Sequence, residues 1–146
     1  KGKYISLDKA QEYVFGYCIV NDISERSWQK ERGGQWIKGK SIAGPCGPFL
    51  VTKDEIKDIN NINLSLDVNG ERRQTGNTER MIFNFDFLIS HISQFMTLYP
   101  GTIITTGTPA GTAMEMTSPK FLSSGDKLTL KADYLGEQNQ MIIEEN

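Results

Sequence analysis

Apolar and polar residues alternate most regularly between Ile62 and Val68, where Ile62, Leu64, Leu66 and Val68 are separated by Asn63, Ser65 and Asp67. A period of two belongs to a strand with one buried face, and the following Asn69-Gly70 is a two-residue hairpin turn, so Glu71 to Gln74 should be the return strand. The period then changes. Phe85, Leu88, Ile89, Ile92, Phe95 and Met96 recur at three and four residues, which predicts an amphipathic helix with Asn84 near its start and Tyr99-Pro100-Gly101 as its stop. A shorter helix is predicted near the beginning, where Ser6 can cap a segment with Leu7, Ala10 and Val14 at helical spacing.

Unbroken apolar runs supply the other strands. Tyr17-Cys18-Ile19-Val20 suits a buried strand that Asn21-Asp22 ends, and Phe49-Leu50-Val51-Thr52 resumes as a strand after Gly44-Pro45-Cys46-Gly47-Pro48, which reads as loop. The β-branched run Thr102 to Thr106 predicts another strand, leading into Gly107-Thr108-Pro109-Ala110-Gly111, a loop whose glycines let the backbone approach a ligand. Ser124-Gly125-Asp126 and Leu135-Gly136-Glu137 bound a last pair of strands. The total is roughly seven or eight strands with two or three short helices, joined by hairpins rather than regular βα alternation, which predicts a mostly-β α+β fold. With no repeat or linker, residues 1–146 are expected to be one domain.

Composition narrows the function. Hydrophobic residues make up 38% of the chain, enough for one core, and the net charge of −2 with interspersed lysines and arginines argues against a nucleic-acid partner. No apolar run reaches the roughly 18 residues of a membrane span, and no signal-like segment opens the chain, so neither membrane insertion nor export is expected. Cys18 and Cys46 are too few and too widely spaced for a zinc knuckle; the expectation is two reduced structural thiols in a cytoplasmic protein.

Candidate chemistry gathers where the first apolar run ends. Asp22 places a carboxylate at the mouth of the Tyr17–Val20 strand, and Ser24 can cap a helical turn that sets Arg26 and Gln29, three apart, on one face beside the acid while Trp28 points inward. Downstream, Gly34-Gln35-Trp36-Ile37-Lys38-Gly39-Lys40-Ser41 matches the phosphate-loop pattern letter for letter, but a buried strand must precede such a loop and a helix must follow it. Neither does, so nucleotide hydrolysis is excluded, and Lys40 stays as a point charge able to face an anion. His91, the one histidine, is expected on the helix surface, whereas Trp28, Trp36, Phe95 and Met96 are expected in the core.

A set of motifs extends along nearly the whole chain in order: Gly16-Tyr17, Asn21-Asp22-Ile23-Ser24, Arg26, Trp28-Gln29, Gln35-Trp36, Gly39-Lys40-Ser41, Gly47-Pro48, Val68-Asn69-Gly70, Asn77-Thr78, Met81-Ile82-Phe83, Phe95-Met96-Thr97-Leu98, Pro100-Gly101, Thr106-Gly107-Thr108-Pro109-Ala110-Gly111 and Gly125-Asp126. Together they resemble the fumarylacetoacetate hydrolase family. The resemblance implies a mixed β-sandwich or β-roll, a homodimer, and an enzyme that binds Mg²⁺, or Mn²⁺ or Ca²⁺ in its place. It also implies hydrolysis, decarboxylation or isomerisation of 2-oxo or enol acids such as acylpyruvates, fumarylacetoacetate-like compounds and the hydroxymuconate-type diacids of aromatic catabolism.

Carried over by position, the resemblance makes Asp22 a metal ligand. It makes Arg26 and Gln29 groups that face the substrate and serve catalysis, Lys40 a catalytic lysine beside metal and substrate carboxylate, and Thr108 a substrate contact. The family's Glu-x-Glu metal pair and its water-activating histidine belong upstream of Ser6 and lie outside this chain. Two expectations follow: this is an N-terminally truncated part of a metal-dependent enzyme, inactive alone, or it is a non-catalytic dimerising module of the same fold.

Overall fold

A computed structural model describes residues 1–31 and 44–144, and two antiparallel sheets carry its architecture. The smaller sheet pairs β1 (Gly16–Val20) with β2 (Cys46–Thr52), and the larger has four strands in the order β4-β3-β5-β6. In it β3 (Asn63–Val68) and β4 (Glu71–Asn77) form the hairpin that the alternation predicts, while β5 (Lys127–Ala132) and β6 (Gly136–Met141) close the other side. The turn chemistry explains the register. Asn69 and Gly70 have φ of +52° and +79°, the pair of positive angles that a type I′ hairpin needs, and Asn69 also exchanges side-chain bonds with Asp126 and with the Lys127 N–H.

Two α-helices lie among the described residues: α1 (Arg26–Lys30) and α2 (Phe85–Phe95). Asn84 caps α2 as its position predicts, its Oδ1 accepting from the Phe87 N–H at 2.9 Å. The buried side of α2 carries Ile89 and Ser93, and it packs on the 3₁₀ segment Leu7–Tyr13. Ser93 is fully buried, and its hydroxyl accepts from the Ile5 N–H at 2.9 Å while donating to the Ser90 carbonyl at 2.7 Å. Gly2 and Leu98 exchange two backbone bonds of 2.8 Å, fastening the beginning of the chain to the end of α2.

Among the described residues, apolar burial is divided among three clusters. Ile5, Ala10, Ile89 and Leu98 lie between the first residues and α2; Ile56, Ile62 and Leu135 lie at one end of the large sheet; Val68, Leu128 and Leu130 lie at its centre. Ile19 packs against both of the latter clusters, so β1 is the strand that joins the small sheet to the large one.

Several expectations change. Six strands are present among the described residues, and Thr102–Thr106 is not one of them: the run has strand propensity but no partner strand to bond it. Strand β2 begins at Cys46, so Cys46, Gly47 and Pro48 belong to a strand and not to a loop; Pro48 is tolerated because β2 is an edge, and the Gly47–Pro48 peptide is cis. The first helical segment is 3₁₀, Ser6 makes no side-chain cap, and Leu7 faces solvent. Phe95 and Met96 are 76% and 54% exposed, and Trp28 is exposed rather than turned inward. Phe95 instead ends an aromatic row along α2, where Phe83 stacks on Phe87, Phe87 on His91, and His91 meets Phe95 edge-on. His91 is exposed, as expected. No helix among the described residues is long and apolar enough to cross a membrane.

Candidate active site

The site is built outward from the end of β1. Asn21 is buried; its N–H donates to the Pro45 carbonyl at 2.9 Å and its side-chain amide to Gln140 Oε1 at 2.7 Å. Those two bonds tie the chain to β6 and to the residue before β2, and they fix the point from which Asp22 emerges, exposed, at the rim. Next, Glu25 and not Ser24 caps α1, accepting from the Ser27 N–H at 2.8 Å. The Ser27 hydroxyl also donates to Glu25, and this bond, followed by the backbone one, holds the Glu25 carboxyl below the usual range.

The spacing of Arg26 and Gln29 acts as the sequence suggests. Arg26 Nη1 donates to Gln29 Oε1 at 2.6 Å, and Gln29 is buried at 6% exposure. A buried amide thus holds one arm of a guanidinium that has five N–H donors, leaving others for an anion. Gln29 therefore orients Arg26 in this structure, and it does not line the cleft.

Asp22, Arg26, Thr108, Pro109 and Gly111 are among the many residues that line a large, open cleft of about 1760 Å³. What brings the Thr108 loop there was not legible in the sequence. Strand β4 carries an irregularity: Arg72 pairs with Asp67 and Gln74 with Leu66, so Arg73 is an extra residue with no partner on β3. The bulge turns β4 toward the loop. Gln74 Nε2 donates to Thr108 Oγ1 at 2.8 Å and to the Pro109 carbonyl at 2.7 Å, and a Cβ on Gly76 would stand 2.7 Å from Pro109 Cβ. The Thr108 hydroxyl thus accepts from the Gln74 amide, and its own proton makes only a long bond, 3.5 Å, to the Pro109 carbonyl among the described residues.

Gly111 is closed in from the same side. A Cβ built on it would lie 2.0 Å from the Arg73 carbonyl oxygen, so the missing side chain admits this chain's own backbone and not a ligand; Gly107 has nothing within 4 Å. Glu115 finishes the loop, its Oε2 accepting from the Gly111 and Thr112 N–H groups at 2.8 Å each. These backbone bonds, Thr112 foremost, hold its carboxyl below the usual range. Arg73 itself is mostly buried, with Nη1 on Met116 Sδ at 3.2 Å, an ion pair to Glu71 at 3.5 Å, and an Nε that finds no partner among the described residues.

Of the residues singled out in the sequence, Asp22, Arg26 and Thr108 all border this cleft, whose lining runs over much of the chain, and Gln29 holds Arg26 without lining it. Lys40, Trp36 and the whole Gly34–Ser41 segment lie outside the described residues. Among the described residues no three His, Cys, Asp or Glu side chains form a group able to hold a metal ion. Asp22 provides one hard oxygen donor, and a divalent cation here would need its other ligands from beyond these residues.

The chain belongs to the fumarylacetoacetate hydrolase C-terminal family, whose pattern matches residues 1–143. A protein of Burkholderia cenocepacia that bears only a provisional hydrolase name is 51% identical over 143 residues, covering 96% of this chain and 51% of that protein. The chain thus spans about half the length of the curated relatives it matches. Among solved structures, a fumarylacetoacetate hydrolase from Exiguobacterium antarcticum has a TM-score of 0.92 at 36% identity, over 99% of this chain and 52% of that one. A 5-carboxymethyl-2-hydroxymuconate delta-isomerase from Mycobacterium smegmatis has a TM-score of 0.86 at 30% identity, over 99% and 54%. Maleylpyruvate hydrolase from Sphingobium sp. SYK-6, in complex with manganese(II) and pyruvate, has a TM-score of 0.85 at 27% identity, over 99% and 50%. The fold read from the sequence is therefore that of this family.

Proposed function

We propose that this chain forms part of a divalent-metal-dependent enzyme that cleaves or isomerises 2-oxo acids of the acylpyruvate and hydroxymuconate kind, assembled as a homodimer. The observation that carries the proposal is the Gln29-held Arg26, which borders one large open cleft together with Asp22 and the Gln74-held Thr108 loop. Each element suits a small dianionic substrate. Arg26 offers N–H donors to a carboxylate, and the Thr108 hydroxyl, already accepting from Gln74, is set to donate to a substrate oxygen. Asp22 would supply one carboxylate oxygen to Mg²⁺, Mn²⁺ or Ca²⁺, which when bound would polarise the 2-oxo group as a Lewis acid. Lys40 is assigned to the same anionic substrate by the family resemblance alone. The names of related proteins support the reading at the level of class, since they include both hydrolases and isomerases and one complex with manganese and pyruvate.

The test is calorimetry of Mn²⁺ or Mg²⁺ with oxalate, a mimic of the 2-oxo-carboxylate, on the full natural protein and on its Asp22→Ala variant. Metal-dependent oxalate binding that the variant loses is the expected result. Absence of such binding in the unaltered protein would leave the other reading, a non-catalytic dimerising module.

A further inference from the structure

We propose that Cys18 and Cys46 form a redox-modification site, at which a small-molecule disulfide such as oxidised glutathione drives formation of an intramolecular disulfide across the small sheet. The inference is independent of the function proposed above. The residues are 28 positions apart, and the antiparallel pairing of β1 with β2 brings their Sγ atoms to 3.1 Å. Cys46 is paired with Val20, two residues beyond Cys18, and Cys18 sits at an irregularity of the ladder with no partner residue of its own on β2, which leaves its thiol to meet that of Cys46. The sulfurs already touch, which meets the first requirement for a bond between them. Among the described residues no third His, Cys, Asp or Glu joins them in a metal-binding group.

The two thiols differ in the way that a two-step exchange requires. Cys46 is exposed and Cys18 half-buried. Burial first, then the contact with Cys46, pushes the Cys18 thiol up to about 11. Cys46 therefore reacts first: its thiolate attacks one sulfur of oxidised glutathione, the glutathione S–S bond breaks, and one glutathione thiolate leaves. Cys18 then loses its proton to solvent and attacks the Cys46 sulfur of the mixed disulfide, releasing the second glutathione. Two protein thiols are oxidised and one glutathione disulfide is reduced to two thiols. The new bond would lie four residues before Asp22, and it would join strands that are already linked at this end by the Asn21 N–H to Pro45 bond.

The experiment incubates the full natural protein in glutathione buffers of graded redox ratio, alkylates the remaining thiols under denaturing conditions, and reads intact mass and linked peptides. The expected product is a monomer lighter by two hydrogens, with Cys18 and Cys46 joined in one linked peptide, reversed by dithiothreitol. Cys18→Ser should stop at a Cys46–glutathione adduct, and Cys46→Ser should resist modification under the same conditions. Two alkylatable thiols persisting in the most oxidising buffer would overturn the proposal, as would a glutathione adduct that unaltered protein never resolves, or a disulfide-linked dimer in place of the internal bond.

Discussion

Replacing Gly111 by alanine tests whether the bulge in β4 holds the Thr108 loop. The residue has φ of +106°, which costs an L side chain about 1–3 kcal/mol. The added Cβ would also stand 2.0 Å from the Arg73 oxygen and 3.3 Å from Gln74 Cα, both backbone atoms of a strand and unable to rotate aside. Relief requires the loop to lift from β4 by more than an ångström, which breaks both bonds from the Gln74 amide, at about 1 kcal/mol each. The total expected loss is about 3–5 kcal/mol. Gly107→Ala is the internal control, because its φ of +96° incurs the same kind of backbone cost with no atom within 4 Å of the new Cβ. Urea denaturation of the two variants, with unchanged slopes, should separate them by about 2 kcal/mol. Equal losses would refute the close approach of Gly111 to β4, and with it the account of how Thr108 is held.

The other predictions concern charge and core. Glu115 has a lowered folded pKa, so its contribution to loop order is fully present above the unfolded value and is lost as pH falls below about 4.3 and through the folded value. Amide exchange at Gly111 and Thr112 should accelerate over that interval in the parent protein and be pH-insensitive there, beyond the intrinsic exchange rate, in Glu115→Gln. Leu128, 2% exposed in the central cluster, should cost about 2–5 kcal/mol as Leu128→Ala, read from denaturant midpoints, whereas exposed Leu50→Ala should stay within about 0.5 kcal/mol.

Local signals carried much of the fold. The β3–β4 hairpin was legible because alternation, Asn69 and Gly70 all favour one register, and α2 because its period and the Asn84 cap coincide. What escaped was set by distant partners. Thr102–Thr106 has the composition of a strand but pairs with no strand among the described residues, whereas the last pair of strands, β5 and the polar β6, was legible from the turns that bound it. The same division holds at the site. Arg26 and Gln29 are three apart on one helix, so their contact could be read directly; Gln74 reaches Thr108 across 34 positions through a bulge that propensity does not reveal. The return strand is polar from Glu71 to Asn77, so nothing in its pattern marks Arg73 as the extra residue. Phe95 and Trp28 misled because size and hydrophobicity indicate a buried residue on average, not in a particular place.

The fastening of the first residues onto α2 also sets how the molecule carries a mechanical load. Ile5 is held by Ser93, 88 positions away, and Gly2 by Leu98, over an apolar cluster separate from those of the sheets. A pull at Lys1 meets these anchors before it meets β1. Tension is borne by a helix and its serines, and the strand that presents Asp22 lies behind that clasp.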